Sequence, residues 1–210
     1  MIWDGRLDQF VGDGLNLRNA LADAAHRSDW DTVLRLLDEN PQSLSPNMWR
    51  PLGKSWFTPL HQAAWSNAPV TVVEELLSRG AWRLAITSAG ATASDIALHR
   101  GYTELATVLA PKLPQEFNIE IYRKLDHQLA QLLESRIRPE LDVRLRHPSC
   151  DVLTEHPEKA LWYPIPGMYG GFRIELMRNY LVVDSSSRMS GGQAFVVTTE
   201  GFTLIDEYFE

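Results

Sequence analysis

The side chains that most often carry chemistry are spread along this chain of 210 residues without the spacing of a catalytic or metal site. No two of its six histidines stand four residues apart, as paired zinc ligands on a helix do. The single cysteine, Cys150, lies between Ser149 and Asp151 and has no adjacent basic side chain to favour its thiolate. A Gly-x-Ser-x-Gly turn and a glycine-rich phosphate loop are both missing. We therefore predict no catalytic residue, no metal site and no cofactor.

Charge and hydropathy narrow the classes of partner. Lys and Arg number 20 against 27 for Asp and Glu, giving a net charge of −7, so the chain lacks the basic surface that nucleic-acid binding needs. No apolar run approaches the roughly 18 residues of a membrane span. Residues 1–6 lack the basic and apolar run of a secretory signal, and one cysteine cannot form an internal disulfide. These features predict a cytoplasmic protein that binds neither nucleic acid nor membrane.

Three segments near 19–40, 58–81 and 92–110 share one pattern of small and apolar residues. In the second, Thr58 followed by Pro59 is typical of a helix start, because proline at the first helical position loses no hydrogen bond. The small pair Ala63-Ala64 lets a neighbouring helix approach closely, and Gly80 suits a left-handed helix end. Each segment is predicted to form two helices, which must stack on other pairs to bury their apolar faces.

The second segment resembles an ankyrin repeat. Residues 58–64 read Thr-Pro-Leu-His-Gln-Ala-Ala and match the signature T-P-L-H-x-A of that family, whose period is about 33 residues. The outer segments match less well, as terminal repeats often do. The resemblance spans about residues 15–112 and implies a helical stack that binds other proteins. It also implies that His61 is structural and ties repeats together through backbone hydrogen bonds.

The pattern changes beyond Pro111. Apolar residues at helical spacing predict a helix over 116–135, and alternation at Leu141, Val143 and Leu145 predicts a half-buried strand. Further strands are predicted over 171–177, 180–185, 193–198 and 202–205. We therefore predict an α + β chain with an ankyrin-repeat domain at 1–113 and a small domain with an antiparallel sheet at 114–210. Residues 162–172 are similar to a tail behind ankyrin repeats in many bacterial proteins, which has no assigned activity and implies a bacterial cytoplasmic origin.

Aromatic and basic residues indicate where a partner binds. Six of the seven tryptophans lie at or before Trp82. In an ankyrin stack the two residues after the Ala-Ala pair face the concave groove, and the residues before the Thr-Pro start lie on the same side. This resemblance makes the candidate protein-binding residues His26, Arg27, Trp56, Phe57, Trp65, Ser66, His99 and Arg100. Alternatively, these rings pack against the long loop at 41–53 or the second domain and fill the groove.

A second candidate site is the glycine-rich segment 167–172, which could present Tyr169 and Phe172 as a binding loop. The alternative is a hairpin corner whose rings pack into the sheet.

These features favour a non-enzymatic protein-interaction module. One alternative is an immunity or inhibitor protein that neutralises a bacterial toxin, for which the net charge favours a basic partner. The other is an enzyme with a site in residues 114–210, near Tyr169. The first 113 residues carry 10 basic and 12 acidic side chains and the remainder 10 and 15, so most of the negative charge lies in the second half.

Overall fold

The computed structural model describes residues 1–7, 13–113, 117–137, 144–156, 158–188 and 191–208. The chain forms two compact units. The first, the repeat unit, is Asp8–Lys112, and the second, the sheet unit, combines Met1–Leu7 with Leu113–Glu210. Among the described residues no helix is both long and apolar enough to span a membrane.

Six helices build the repeat unit as three consecutive antiparallel pairs. The helices are α1 Asp13–His26, α2 Trp30–Glu39, α3 Pro59–Ser66, α4 Val70–Ser78, α5 Ala93–His99 and α6 Thr103–Leu109. Helices α1, α3 and α5 pack side by side and form one layer, which we call the inner helices, and α2, α4 and α6 form the other, the outer helices.

Local sequence explains where the inner helices begin and end. Thr58 and Thr92 precede α3 and α5 and form capping boxes with the residue three positions later. All three inner helices end in a left-handed residue at the equivalent position: Ser28 (φ 59°), Asn67 (φ 53°) and Gly101 (φ 82°). The shared geometry aligns the three pairs and makes the residues just before it equivalent from one pair to the next.

Small residues let these inner helices approach one another. Ala24, Ala25, Ala63, Ala64 and Ala97 are at most 1 % exposed, so the predicted small-residue pairs lie in the core of the stack. The long loop after α2 is packed rather than free. Its Asn47 side chain donates to the Gly80 carbonyl and accepts from the Trp82 N–H, both at 2.8 Å.

The sheet unit contains a helix, a short 3₁₀ segment and an antiparallel meander. Helix α7 (Ile119–Arg136) is followed by the 3₁₀ turn Cys150–Glu155. The strands are β1 Ala160–Ile165, β2 Gly170–Leu176, β3 Leu181–Ser187, β4 Gly191–Thr198 and β5 Gly201–Tyr208. These five strands pair in the order β1-β2-β3-β4-β5, and α7 packs against β4 and β5. The chain is therefore a mixed α + β protein, as the sequence predicts.

The amino-terminal segment belongs to the sheet unit, although the sequence placed it with the repeats. Its backbone pairs with β1, because Trp3 N–H donates to the Trp162 carbonyl and Trp162 N–H donates to the Met1 carbonyl, both at 2.8 Å. The Trp3 ring is 2 % exposed and its Nε1 donates to the Arg146 carbonyl. These contacts join residues more than 140 positions apart, which a local sequence pattern cannot reveal.

The strands β2 to β5 lie where the sequence predicts strands, whereas β1 is an addition. Pro164 and the aromatic residues around it obscure the alternation of apolar and polar residues in β1. Proline is tolerated there because β1 is the first strand of the five-stranded sheet. Of the strand predicted at 141–145, Leu141 and Val143 lie outside the described residues. Leu145 forms an isolated antiparallel bridge with Arg6.

Candidate functional site

The candidate binding residues of the inner helices form two rows at equivalent positions, which we name the inner-helix face. One row is His26, Trp65 and His99, and the other is Arg27, Ser66 and Arg100. All six residues are exposed, and the Trp65 ring is 49 % exposed at the centre. The rows combine one large aromatic ring with two arginines and two histidines and contain no carboxylate.

Trp65 is the centre of a ring and cation cluster. The Arg100 guanidinium lies 4.2 Å from the centroid of the Trp65 ring, a cation–π contact between neighbouring pairs of helices. Arg100 also lies 5.5 Å from the Tyr102 ring, and Phe57 meets Trp65 edge-on at 6.1 Å. These contacts hold a flexible arginine in place beside an exposed ring, an arrangement that would lose little side-chain entropy if a partner bound there.

A cavity of about 260 Å³ joins three of the other predicted residues. His26 forms one wall, and the half-buried Trp56 and Phe57 form another. Met48 and Arg50 of the long loop complete the lining, so the loop forms part of the cavity wall. Trp56 adopts φ 57°, a conformation that non-glycine residues rarely take.

The other predicted residues stand apart from this cluster. The Ser66 hydroxyl donates to the Gln62 carbonyl of its own helix. Among the described residues, no ion pair or ring contact joins Arg27 or His99 to Trp65.

His61 links the second pair of helices to the loop that follows it. Its Nδ1 accepts from the Thr58 N–H at 3.2 Å, and its Nε2 lies 3.0 Å from the Ala85 carbonyl. Because a backbone N–H can only donate, Nδ1 is the acceptor and Nε2 carries the proton. The neutral ring therefore donates to Ala85 and is fully buried.

The family comparison agrees with this arrangement. The sequence model described as Ankyrin repeat matches residues 55–88, which include the end of the loop, α3, α4 and the Ala85 carbonyl. Residues 55–88 form an ankyrin repeat. No curated protein matches the chain. The helix pairs on either side repeat the architecture of this ankyrin repeat, with the same left-handed ends of α1, α3 and α5, and α5 begins with the same capping box as α3.

The sequence did not indicate three residues that lie beside the predicted ones. Tyr102 supports Arg100, and Met48 and Arg50 line the cavity. Tyr102 follows Arg100 by two residues across Gly101, a proximity that could have indicated it. The two loop residues have no comparable signal, since only the folded loop brings them beside α1.

The second predicted site is only partly present. Tyr169 is 75 % exposed in the turn between β1 and β2, as a binding loop requires. Phe172, however, is fully buried and packs 6.5 Å from the Tyr163 ring, so its assignment to a binding loop is wrong. Phe172 pairs directly with Tyr163 across β1 and β2, which places the Phe172 ring in the sheet core.

Cys150 is buried beside two carboxylates in the sheet unit. Its N–H donates to Asp126 Oδ1 at 2.6 Å, which joins the 3₁₀ turn to α7. Burial raises the pKa of the Cys150 thiol well above its usual range, and the nearby Asp126 and Asp151 charges raise it further. The thiol therefore stays protonated and is a poor nucleophile. Within the described part of the chain, no group of three or more His, Cys, Asp or Glu could hold a metal ion.

Asp126 should make the stability of the sheet unit depend on pH. Burial raises the pKa of its carboxyl to about 6, above the usual 3.8, although the hydrogen bonds from Cys150 oppose the shift. The folded state therefore holds the proton more tightly, and the free energy of unfolding falls as pH rises from about 4 to about 6. Asp126→Asn should reduce this slope, part of which remains because burial also raises the pKa of Asp151, and should raise the free energy of unfolding at pH 7 by about 2 kcal/mol. Urea unfolding between these pH values measures both effects.

A control variant tests whether the effect belongs to this carboxyl. Glu120 lies on the same helix, is exposed and pairs with Arg123 at 3.0 Å. Glu120→Gln should keep the slope between about pH 4 and about pH 6. An Asp126→Asn protein that is less stable than the wild type at pH 7 would show that the negative charge itself stabilises the fold.

Proposed function

We propose that this chain is a protein-interaction module whose inner-helix face binds an exposed segment of another protein. The observation that carries the proposal is the exposed Trp65 ring with the Arg100 guanidinium stacked on it at 4.2 Å. Large aromatic and arginine side chains dominate the binding energy of protein interfaces. Ankyrin repeats are typically interaction modules, and the match at residues 55–88 supports this role.

The charges of the inner-helix face favour an acidic partner segment. Arg100 lies on the Trp65 ring, Arg27 stands in the same row as Arg100, and no carboxylate lies in either row. A complementary segment would place an apolar side chain on Trp65 and an Asp or Glu side chain beside Arg100. The net charge of the whole chain is negative and favours a basic partner, but the charged side chains of the inner-helix face are positive and favour an acidic one.

A displayed library of random peptides, selected on the full chain, tests the proposal. We expect the selected peptides to pair an aromatic or aliphatic residue with Asp or Glu. Trp65→Ala should lower the affinity of the tightest-binding peptide by about thirtyfold, because a central ring contributes about 2 kcal/mol or more to the binding free energy. Titration calorimetry with one synthetic peptide measures the change.

Two arginine variants sharpen the test. Arg100→Glu should reject the acidic peptides and select basic ones, because the charge beside Trp65 is reversed. Arg35→Ala is the matched control, since Arg35 is an exposed arginine on the outer helix α2 that pairs with Glu39. Peptides whose affinity is unchanged by both Trp65→Ala and Arg100→Glu would contradict binding at this face.

A further inference from the structure

The two edges of the sheet differ in how they are covered. The amino-terminal segment pairs with β1 through backbone hydrogen bonds between Trp3, Trp162 and Met1. At the opposite edge, β5 pairs with β4 alone, and no strand of the described residues pairs with its outer side. An eight-residue edge strand presents unpaired backbone N–H and C=O groups, which can pair with another extended chain.

The apolar layer of the sheet is also unfinished at β5. Residues paired across antiparallel strands share one face, so Ile174, Val183, Phe195 and Leu204 form a row. Their exposed fractions are 0, 0, 6 and 43 % in that order. The side chains of this row are therefore buried on β2, β3 and β4, and the row becomes exposed to solvent at Leu204 on β5.

A second row on the same face shows the same change. Leu181 and Val197 are fully buried, whereas their neighbour Phe202 on β5 is 37 % exposed. Ile205 adds a third apolar side chain, 56 % exposed, where an extra residue interrupts the pairing between β4 and β5. This bulge limits the regular outer edge to residues 201–204, a stretch of about 13 Å.

Carboxylates stand at both ends of this stretch. Glu200 precedes it, and Asp206 and Glu207 follow it, all three exposed. Among the residues that the structure describes, none of the three forms an ion pair. Gln193 Nε2 donates to Glu207, which leaves the negative charge in place.

We propose that the outer edge of β5 binds an extended segment of another protein, with alternating apolar residues flanked by Lys or Arg. Strand addition would satisfy the free backbone groups of β5 and cover Phe202 and Leu204. The basic flanks would meet Glu200 at one end and Asp206 and Glu207 at the other. A second copy of this chain fits less well, because each copy carries a net charge of −7 and the same carboxylates at its edge.

Synthetic peptides test the proposal on the full chain. The probe is a fluorescent peptide of alternating Val and Thr with Lys at both ends, and its partner probe has Glu at both ends. We expect fluorescence anisotropy to show saturable binding of the Lys peptide and at least about tenfold weaker binding of the Glu peptide. Raising the salt concentration should lower the affinity for the Lys peptide, since the paired charges are exposed to solvent and therefore screened.

Variants of β5 locate the binding. Leu204→Lys should abolish binding, whereas Leu52→Lys, at a leucine 72 % exposed in the repeat unit, should leave it unchanged. If Leu204→Lys perturbs folding, the double variant Glu200→Gln with Asp206→Asn keeps the apolar edge and should bring the affinities of the two peptides together.

Three results would overturn the proposal. The first is no saturable binding of the Lys peptide up to about 1 mM. The second is equal binding by the wild type and a folded Leu204→Lys variant. The third is a dimer in analytical ultracentrifugation that Leu204→Lys dissociates, which would identify a second copy as the occupant of the edge.

Discussion

Replacing Gly171 with alanine is expected to destabilise the sheet unit by about 3 kcal/mol, because β1 and β2 leave no room for a methyl group. A Cβ atom at this position would overlap the Tyr163 carbonyl oxygen and lie 2.8 Å from Pro164 Cα. Both neighbours are backbone atoms of the paired strand, so they cannot move aside without breaking the pairing of β1 with β2. Urea unfolding followed by circular dichroism measures the loss.

Gly14→Ala is the matched control for this substitution. Gly14 lies in the first turn of α1, and a Cβ atom there would have no heavy atom within 4 Å. Alanine is the better helix former, so the control should be neutral or slightly stabilising, by up to about 1 kcal/mol. Equal stability of the Gly171→Ala and wild-type proteins would mean that the strands can separate to admit the side chain.

The surroundings of Gly171 were only partly predictable from the sequence. From sequence, the glycines near Tyr169 permit a close backbone approach, and the structure places that approach between β1 and β2. The sequence does not reveal β1 itself, so the neighbour that requires the glycine stays hidden. Phe172 is misassigned for the same reason, because its burial depends on pairing with Tyr163 across that strand.

Local patterns were sufficient wherever the structure is built from short-range contacts. The three helix pairs, the Thr58 cap and the buried alanines follow from the repeated sequence pattern, since each pair is a repeat of the last. In the groove, the sequence indicates Trp65 and Arg100 separately. Their contact at 4.2 Å depends on how consecutive pairs stack, which only the folded chain shows.

Replacing His61 with alanine is expected to lower the free energy of unfolding of the repeat unit by about 3 kcal/mol. The imidazole supplies an acceptor to the Thr58 N–H and a donor to the Ala85 carbonyl, and it is fully buried. Alanine removes both hydrogen bonds and leaves buried backbone groups without a partner beside a cavity. Hydrogen exchange should become faster in α3 and in the loop around Ala85, which the ring joins.

Asp95→Ala separates the two roles of this histidine. Asp95 stands at the equivalent position of the third helix pair, where its carboxylate accepts from the Thr92 N–H at 2.9 Å and completes the capping box. The side chain is exposed, and among the described residues its carboxylate accepts only from the Thr92 N–H and the Thr92 hydroxyl, so the local cap is present without a side-chain bond to a following loop. Asp95→Ala should therefore cost only about 1 kcal/mol. If His61→Ala costs no more than Asp95→Ala, the bond to Ala85 does not stabilise the stack. A cost about three times larger, with faster hydrogen exchange around Ala85, would show that the buried imidazole stabilises the loop that follows the repeat as well as its own helix.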